Sequence, residues 1–138
     1  MTRIIVCGGR AYRDERRVRV VLNAAVHRLG LSFLITGGAM GADWLAQEWA
    51  KARGVPNEIM KAEWGKHGKA AGHIRNARML AEGKPDLVIA FPGERGTANM
   101  VKQAEAAGVT VHRIDWSADD PDPFPDEPDP TGQFELTL

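Results

Sequence analysis

Short apolar runs alternate along this chain with longer stretches in which apolar residues recur every three or four positions. Arg3–Cys7 (RIIVC), Ser32–Thr36 (SFLIT) and Leu87–Phe91 (LVIAF) are almost wholly apolar, as expected of strands covered on both faces in a parallel sheet. Val55–Met60 and Val109–Ile114 are weaker strands of the same series, and Pro56 assigns the first of them to an edge or a strand start. Between the runs lie four helical patterns. Asp14 is the predicted N-cap of the first, where Val18, Val21, Leu22, Ala25 and Leu29 share a face and Gly30 ends the helix. Ala42, Leu45, Ala46, Trp49 and Ala50 form the face of the second, which ends near Gly54. Ala70–Glu82 is predicted as the third, with Ala70, Ile74, Ala77 and Ala81 as its apolar side, broken by Gly83 and Pro85. Thr97–Ala107 is the fourth, with Met100, Val101 and Ala104 inward and Gly108 closing it. Lys61–Lys69 reads as a loop.

Strands alternating with helices in this way predict an α/β fold, a doubly wound parallel sheet of about five strands with helices on both faces. Ligands of such sheets sit beyond the carboxyl ends of the strands, where the strand order reverses. Three predicted strands end in glycines, at Gly8-Gly9, Gly37-Gly38 and Gly93. The stretch Asp86–Thr97 (DLVIAFPGERGT) is the most informative of the three. A strand running through a glycine loop into a helix gathers free backbone N–H groups and the positive helix end, which together suit an anion such as a phosphate. Gly93 and Gly96 are expected to use positive φ or to let a ligand approach the backbone, and Thr97 to cap the helix or donate its hydroxyl. The bland alternative is a tight, capped strand-to-helix turn.

Composition adds limits. At 138 residues the chain makes one domain able to bury a core without disulfides. Its one cysteine, Cys7, lies in a strand pattern, so a reducing cytoplasm is expected. The opening MTRIIVCGG is broken by glycines too soon to read as a signal peptide, and no run approaches the length of a membrane span. Net charge is zero, yet all 18 Lys and Arg residues precede Ser117, and seven of the 18 acids follow it. Residues 1–116 thus carry an excess of about seven positive charges, which suits an anionic partner. The segment 117–138, with Pro121, Pro123, Pro125, Pro128 and Pro130 among the acids, is predicted as an extended tail. A short docked strand is expected at 133–138.

The dinucleotide fingerprint G-x-G-x-x-G is absent, and so is the phosphate loop G-x-x-x-x-G-K-[ST]. Four other motifs occur in order: GGRAYRD (8–14), ITGGAMGAD (35–43), AEWGKHGKAAGHIRNARM (62–79) and FPGERGTANM (91–100). This series resembles the YspA-related SLOG family, a Rossmann-like group related to the LOG phosphoribohydrolases and to the DNA-processing protein DprA, over roughly residues 3–115. The resemblance implies a nucleotide site at the carboxyl edge of the sheet. In LOG enzymes a PGGxGTxxE loop holds phosphate and an arginine helix assists. Here Pro92, Gly93, Gly96 and Thr97 match that loop, while Arg75 and Met79 match the R-K-x-x-M helix, with Asn76 in place of its lysine. Asn99 and Met100 stand where LOG enzymes carry adjacent glutamates, and neither can act as a carboxylate. A LOG-type hydrolase would have to use other groups. Arg75, Asp43 and Glu94 are the catalytic candidates.

The expected ligand-binding set is therefore Gly9, Arg10, Gly37, Gly38, Gly41, Arg75, Asn76, Pro92, Gly93, Gly96 and Thr97, with Tyr12 and Trp64 as base-stacking candidates. Each has a bland alternative: Arg75 as a surface arginine, Asp43 as a helix cap, Tyr12 and Trp64 as covers for a core edge; Trp49 reads as core. Trp44 lies off its helix's apolar stripe. His67 and His73 are spaced too loosely to argue a zinc site. No cofactor is expected, and a divalent metal is left open, with Asp43 as its ligand. A homodimer is expected by analogy with LOG enzymes. Three functions compete: a nucleotide binder that senses or hydrolyses its ligand, a DprA-like nucleic-acid module, and an interaction protein keeping only the fold.

Overall fold

A computed structural model of the chain describes residues 2–114. The elements follow in the order β1 (Thr2–Cys7), α1 (Glu15–Leu29), β2 (Leu31–Thr36), α2 (Ala42–Arg53), β3 (Asn57–Ile59), α3 (Trp64–His67), α4 (Ala71–Gly83), β4 (Leu87–Ala90), α5 (Arg95–Ala106) and β5 (Thr110–Arg113). The five strands pair in parallel in the order β3-β2-β1-β4-β5. Alternation along β1 divides the core. Ile4 and Val6 pack with Val21 and Leu22 of α1 and with Ala46 and Trp49 of α2. Ile5 faces the other way, into a second core with Met79 of α4, Met100 and Ala104 of α5. Helices thus cover both faces, a Rossmann-like three-layer arrangement.

Local chemistry fixes the ends. The Asp14 carboxylate accepts from the Arg17 N–H at 2.9 Å and caps α1, and Gly30 closes it at φ 69°. Gly54 closes α2 in the same left-handed conformation. The central strands are buried, whereas all three residues of β3 are exposed at the sheet edge, which explains its faint signal.

Three expectations need correction. The apolar side of α4 is not Ala70, Ile74, Ala77 and Ala81; Ile74 is exposed, and the inward residues are Ala71, Asn76, Met79 and Gly83. An asparagine in the buried stripe and a glycine against Ile35 disguised the true face. That helix does stop at Gly83, and Lys84 takes the left-handed position at φ 48°. The predicted loop 61–69 contains α3 and a 3-10 turn (Gly68–Ala70), both too short and too exposed for a periodic signal. Thr97 is not the α5 cap: that helix begins two residues earlier, with Glu94 at the N-cap. The tail from Ser117, with its strand at 133–138, lies outside the described residues.

Candidate functional site

The strand order reverses between β1 and β4, so the crevice sits where Gly8-Gly9 and Phe91-Pro92-Gly93 leave the sheet. The two strands stay joined past their ends: Phe91 N–H donates to the Cys7 carbonyl and Gly9 N–H to the Pro92 carbonyl, both at 2.9 Å. A Cβ on Gly9 would lie 3.0 Å from the Pro92 carbonyl oxygen, and one on Gly93 would lie 2.7 Å from the Gly9 nitrogen. Glycine is needed here for proximity. Neither Gly93 nor Gly96 has a positive φ, contrary to one expectation from the sequence.

A cavity of about 700 Å³ opens at this point. It brings together Gly9, Arg10, Tyr12, Gly37, Asp43, Trp64, Arg75, Asn76, Pro92, Gly93, Glu94, Gly96 and Thr97. Gly38 and Gly41 are not among its lining residues. Gly38, at φ 73°, packs its α-carbon toward Ile59, and Gly41, at φ 83°, packs against the Gly9 and Arg10 backbone.

The three glycine tips differ in what their amides do. Gly9 N–H is taken by Pro92. In the second loop Gly37 N–H and Ala39 N–H both donate to Asp43 Oδ2, at 3.1 and 3.2 Å, and Gly38 N–H donates to the Thr36 hydroxyl at 3.3 Å. Asp43 therefore clamps this loop from the first turn of α2, whose N-cap is Gly41 and not Asp43 as the capping alternative had it. At the third tip the N-cap residue of α5, Glu94, makes no capping hydrogen bond among the described residues. Among those residues, none has a heavy atom within 4 Å of a Cβ added to Gly96. The positive end of a twelve-residue helix thus faces the cavity.

Arg75 stands opposite. Its Nη1 donates to the Gly37 carbonyl and its Nε to Asn76 Oδ1, each at 2.9 Å. A Cβ on Gly37 would lie 2.5 Å from the Arg75 Cζ, so glycine is what lets the guanidinium lie across that loop. Asn76 is buried and continues the chain: its Nδ2 donates to the Gly96 carbonyl at 3.3 Å and to Asn99 Oδ1 at 3.1 Å. Gln103 Nε2 also donates to Asn99 Oδ1, at 2.7 Å. Side-chain amides thereby tie the guanidinium on α4 to the first turn of α5.

Burial dominates the electrostatics. It pushes Asp43 up to about 6, against the pull of the Ala39 amide, the Arg75 guanidinium, the Gly37 amide and Arg10. It lowers Arg75, which Asp43 opposes. It holds Cys7 as a thiol, pushed up to about 12, with Asp43 adding to the effect. Among the described residues no three His, Cys, Asp or Glu side chains gather to hold a metal ion. None of their helices is long and apolar enough to cross a membrane.

Sequence reasoning missed several lining residues. Cys7, Gly72, Met79 and Met100 also line the cavity, while Asn99 turns to α4 instead. Of the two positions matching the LOG glutamates, one therefore meets the cavity, and it is a thioether. The polar chain from buried Asn76 to half-buried Asn99 and Gln103 had a trace in the sequence, as amides on two neighbouring helices, but no period marks such pairs.

A family model for the YspA, cpYpsA-related SLOG family matches residues 2–67. The gene 61 protein of Mycobacterium phage D29 is 35% identical over 119 residues, covering 80% of this chain and 94% of that protein. The chain belongs to this SLOG family. Solved structures show the same fold at low identity. DprA from Streptococcus pneumoniae superposes with a TM-score of 0.67 at 20% identity, over 87% of this chain and 52% of DprA. TM1055, a structural genomics target, gives 0.64 at 19%, over 80% and 72%. The Moco carrier protein from Chlamydomonas reinhardtii gives 0.52 at 18%, over 83% and 76%.

Proposed function

We propose that this chain binds a nucleotide or nucleotide-derived ligand, with its phosphate at the N-terminal end of α5 beside Arg75. The observation that carries this is the uncapped first turn of α5 opening into the cavity that Arg75 also lines. A helix end and a guanidinium are the two protein groups best suited to a phosphate, one through oriented amides and one through forked hydrogen bonds. The family and the DprA-like fold agree with such a site without specifying its ligand.

Within this reading, sensing or carrying is favoured over hydrolysis of an N-glycosidic bond. Met100 presents a thioether to the cavity, and one Asp43 oxygen is committed to the Gly37 and Ala39 amides. Glu94 is the remaining carboxylate at the phosphate loop, exposed at its rim. A DprA-like nucleic-acid role rests on the charge excess of residues 1–116 alone.

A thermal-shift screen of nucleotides, nucleotide sugars and cyclic dinucleotides tests the proposal. A ligand should raise the melting temperature of the wild type, and Arg75→Ala should weaken it about thirtyfold, the loss expected for charged hydrogen bonds worth about 2 kcal/mol. Undiminished binding by Arg75→Ala would mean the site is elsewhere. Product analysis of the same ligand separates binder from hydrolase. Salt separates small ligand from nucleic acid, because several phosphate contacts make affinity fall steeply with ionic strength and one does not.

A further inference from the structure

The cavity mouth holds an aromatic side chain that the phosphate reading leaves unused. Trp64 begins α3, is 50% exposed, and lines the same cavity as Gly93 and Thr97. Among the exposed large apolar side chains, Met40, Trp44, Ile59, Trp64 and Ile74, Trp64 alone lines this cavity, where its flat face is available to a ligand. Its position is supported from two sides. The Trp64 ring edge lies over the first turn of α4, where a Cβ on Gly72 would make ordinary contact with its Cη2 at 3.5 Å. Glu63, one residue before, reaches Arg78 of α4 at 3.6 Å.

Tyr12, the other aromatic at the mouth, is differently placed. Its ring packs on Phe91 with centroids 5.4 Å apart and joins the buried core. The Trp64 ring has instead a cation over it: the Arg10 Cζ lies 5.8 Å from its centroid. Two flat groups in face contact sit about 3.5 Å apart, so a third flat group between them needs roughly 7 Å. The Arg10–Trp64 gap is wider than one such contact and a little short of two. Both side chains are exposed, and a base entering between them would part them by that much.

We propose that the ligand carries a planar heteroaromatic base, which inserts between the Trp64 indole and the Arg10 guanidinium. The inference rests on the phosphate reading above and narrows it: the ligand class is a nucleotide, not a sugar phosphate. Stacking on both an indole and a guanidinium face suits any base and reads its flat surface. Trp64 then supplies affinity for the base while α5 and Arg75 hold the phosphate.

The test compares ribose 5-phosphate with the four ribonucleoside 5′-monophosphates on the full chain, by calorimetry and tryptophan fluorescence. At least one nucleotide should bind fivefold or more tightly than ribose 5-phosphate. Trp64→Ala should weaken that nucleotide by about tenfold, within the range a lost stacking partner costs. The same variant should leave ribose 5-phosphate unchanged, and Trp64→Phe should recover part of the loss. Arg75→Ala should weaken both ligands. Equal affinity for nucleotides and ribose 5-phosphate, or a Trp64→Ala protein that binds nucleotide normally, overturns the base site and leaves the phosphate site standing. No binding of either ligand overturns both. A single-stranded oligonucleotide bound far more tightly than any monophosphate overturns the small-molecule ligand in favour of a strand.

Discussion

The β2–α2 loop and the β4–α5 loop look alike in the sequence, each carrying glycine between an apolar strand and a helix, yet their backbones are used in opposite ways. The first is closed on itself. Its Gly37, Gly38 and Ala39 amides go to Asp43 and Thr36, and its Gly38 and Gly41 have positive φ and pack against Ile59 and neighbouring backbone. The second is open. Its glycines keep ordinary φ angles, its helix has no side-chain cap, and Gly96 borders empty space. A glycine can serve conformation, proximity or clearance, and the letter alone does not say which. What separates a structural loop from a candidate binding loop is where the N–H groups point after every internal acceptor has been served.

The sharpest way to break the contrast is at Gly41. An added Cβ there would overlap the Gly9 carbonyl and lie 2.7 Å from the Arg10 carbonyl carbon, on backbone already at φ 83°. Gly41→Ala should cost about 3 kcal/mol or more and lower the melting temperature by roughly 10 °C, since backbone cannot move aside as a side chain can. A normal melt would show that the first loop is as open as the second.

Next in size is the Asp43 clamp, read through pH. Burial raises its carboxyl from 3.8 to about 6, so the folded protein binds a proton that the unfolded chain has already released. Stability from this group is complete below about pH 4 and is lost as pH rises toward 6, a change of about 3 kcal/mol. Urea unfolding of wild type and Asp43→Asn between pH 4 and 7 should show that the variant lacks this fall. Parallel pH profiles would mean the carboxylate is better solvated than its surroundings imply.

The smallest effect sharpens the comparison most. Gly96→Ala meets no atom within 4 Å and should leave the ligand-free protein unchanged or stabilised by up to about 0.5–1 kcal/mol. If the space is reserved for a ligand, the same change should cut the thermal shift produced by the best-binding nucleoside monophosphate. A full shift in Gly96→Ala would mean the clearance serves no ligand.

The fold was legible because its signals are local. Leu87–Phe91 is apolar throughout, Asp14 caps, and Gly30 and Gly54 stop their helices, each a message carried by a few adjacent letters. The site was legible in part. The motifs in FPGERGT and in RNARM pointed to the β4–α5 tip and to Arg75, and both line the cavity. What stayed hidden was everything decided by a partner far along the chain. Nothing near Gly9 says that its amide is taken by Pro92, and nothing near Asn76 says that it is buried against Asn99. The misread face of α4 has the same origin, since a polar residue inside a buried stripe breaks the only pattern a sequence offers.

Asn76 has a last consequence. One end of its amide accepts from the Arg75 guanidinium, and the other donates to the Gly96 carbonyl. A single planar group thus sets the spacing between the two positive poles of the pocket, and it works in one orientation only. Aspartate there would turn a second oxygen on Gly96 and Asn99, and leucine would release both helices. The width of the gap between Arg75 and the first turn of α5 is therefore set within the fold, by one amide.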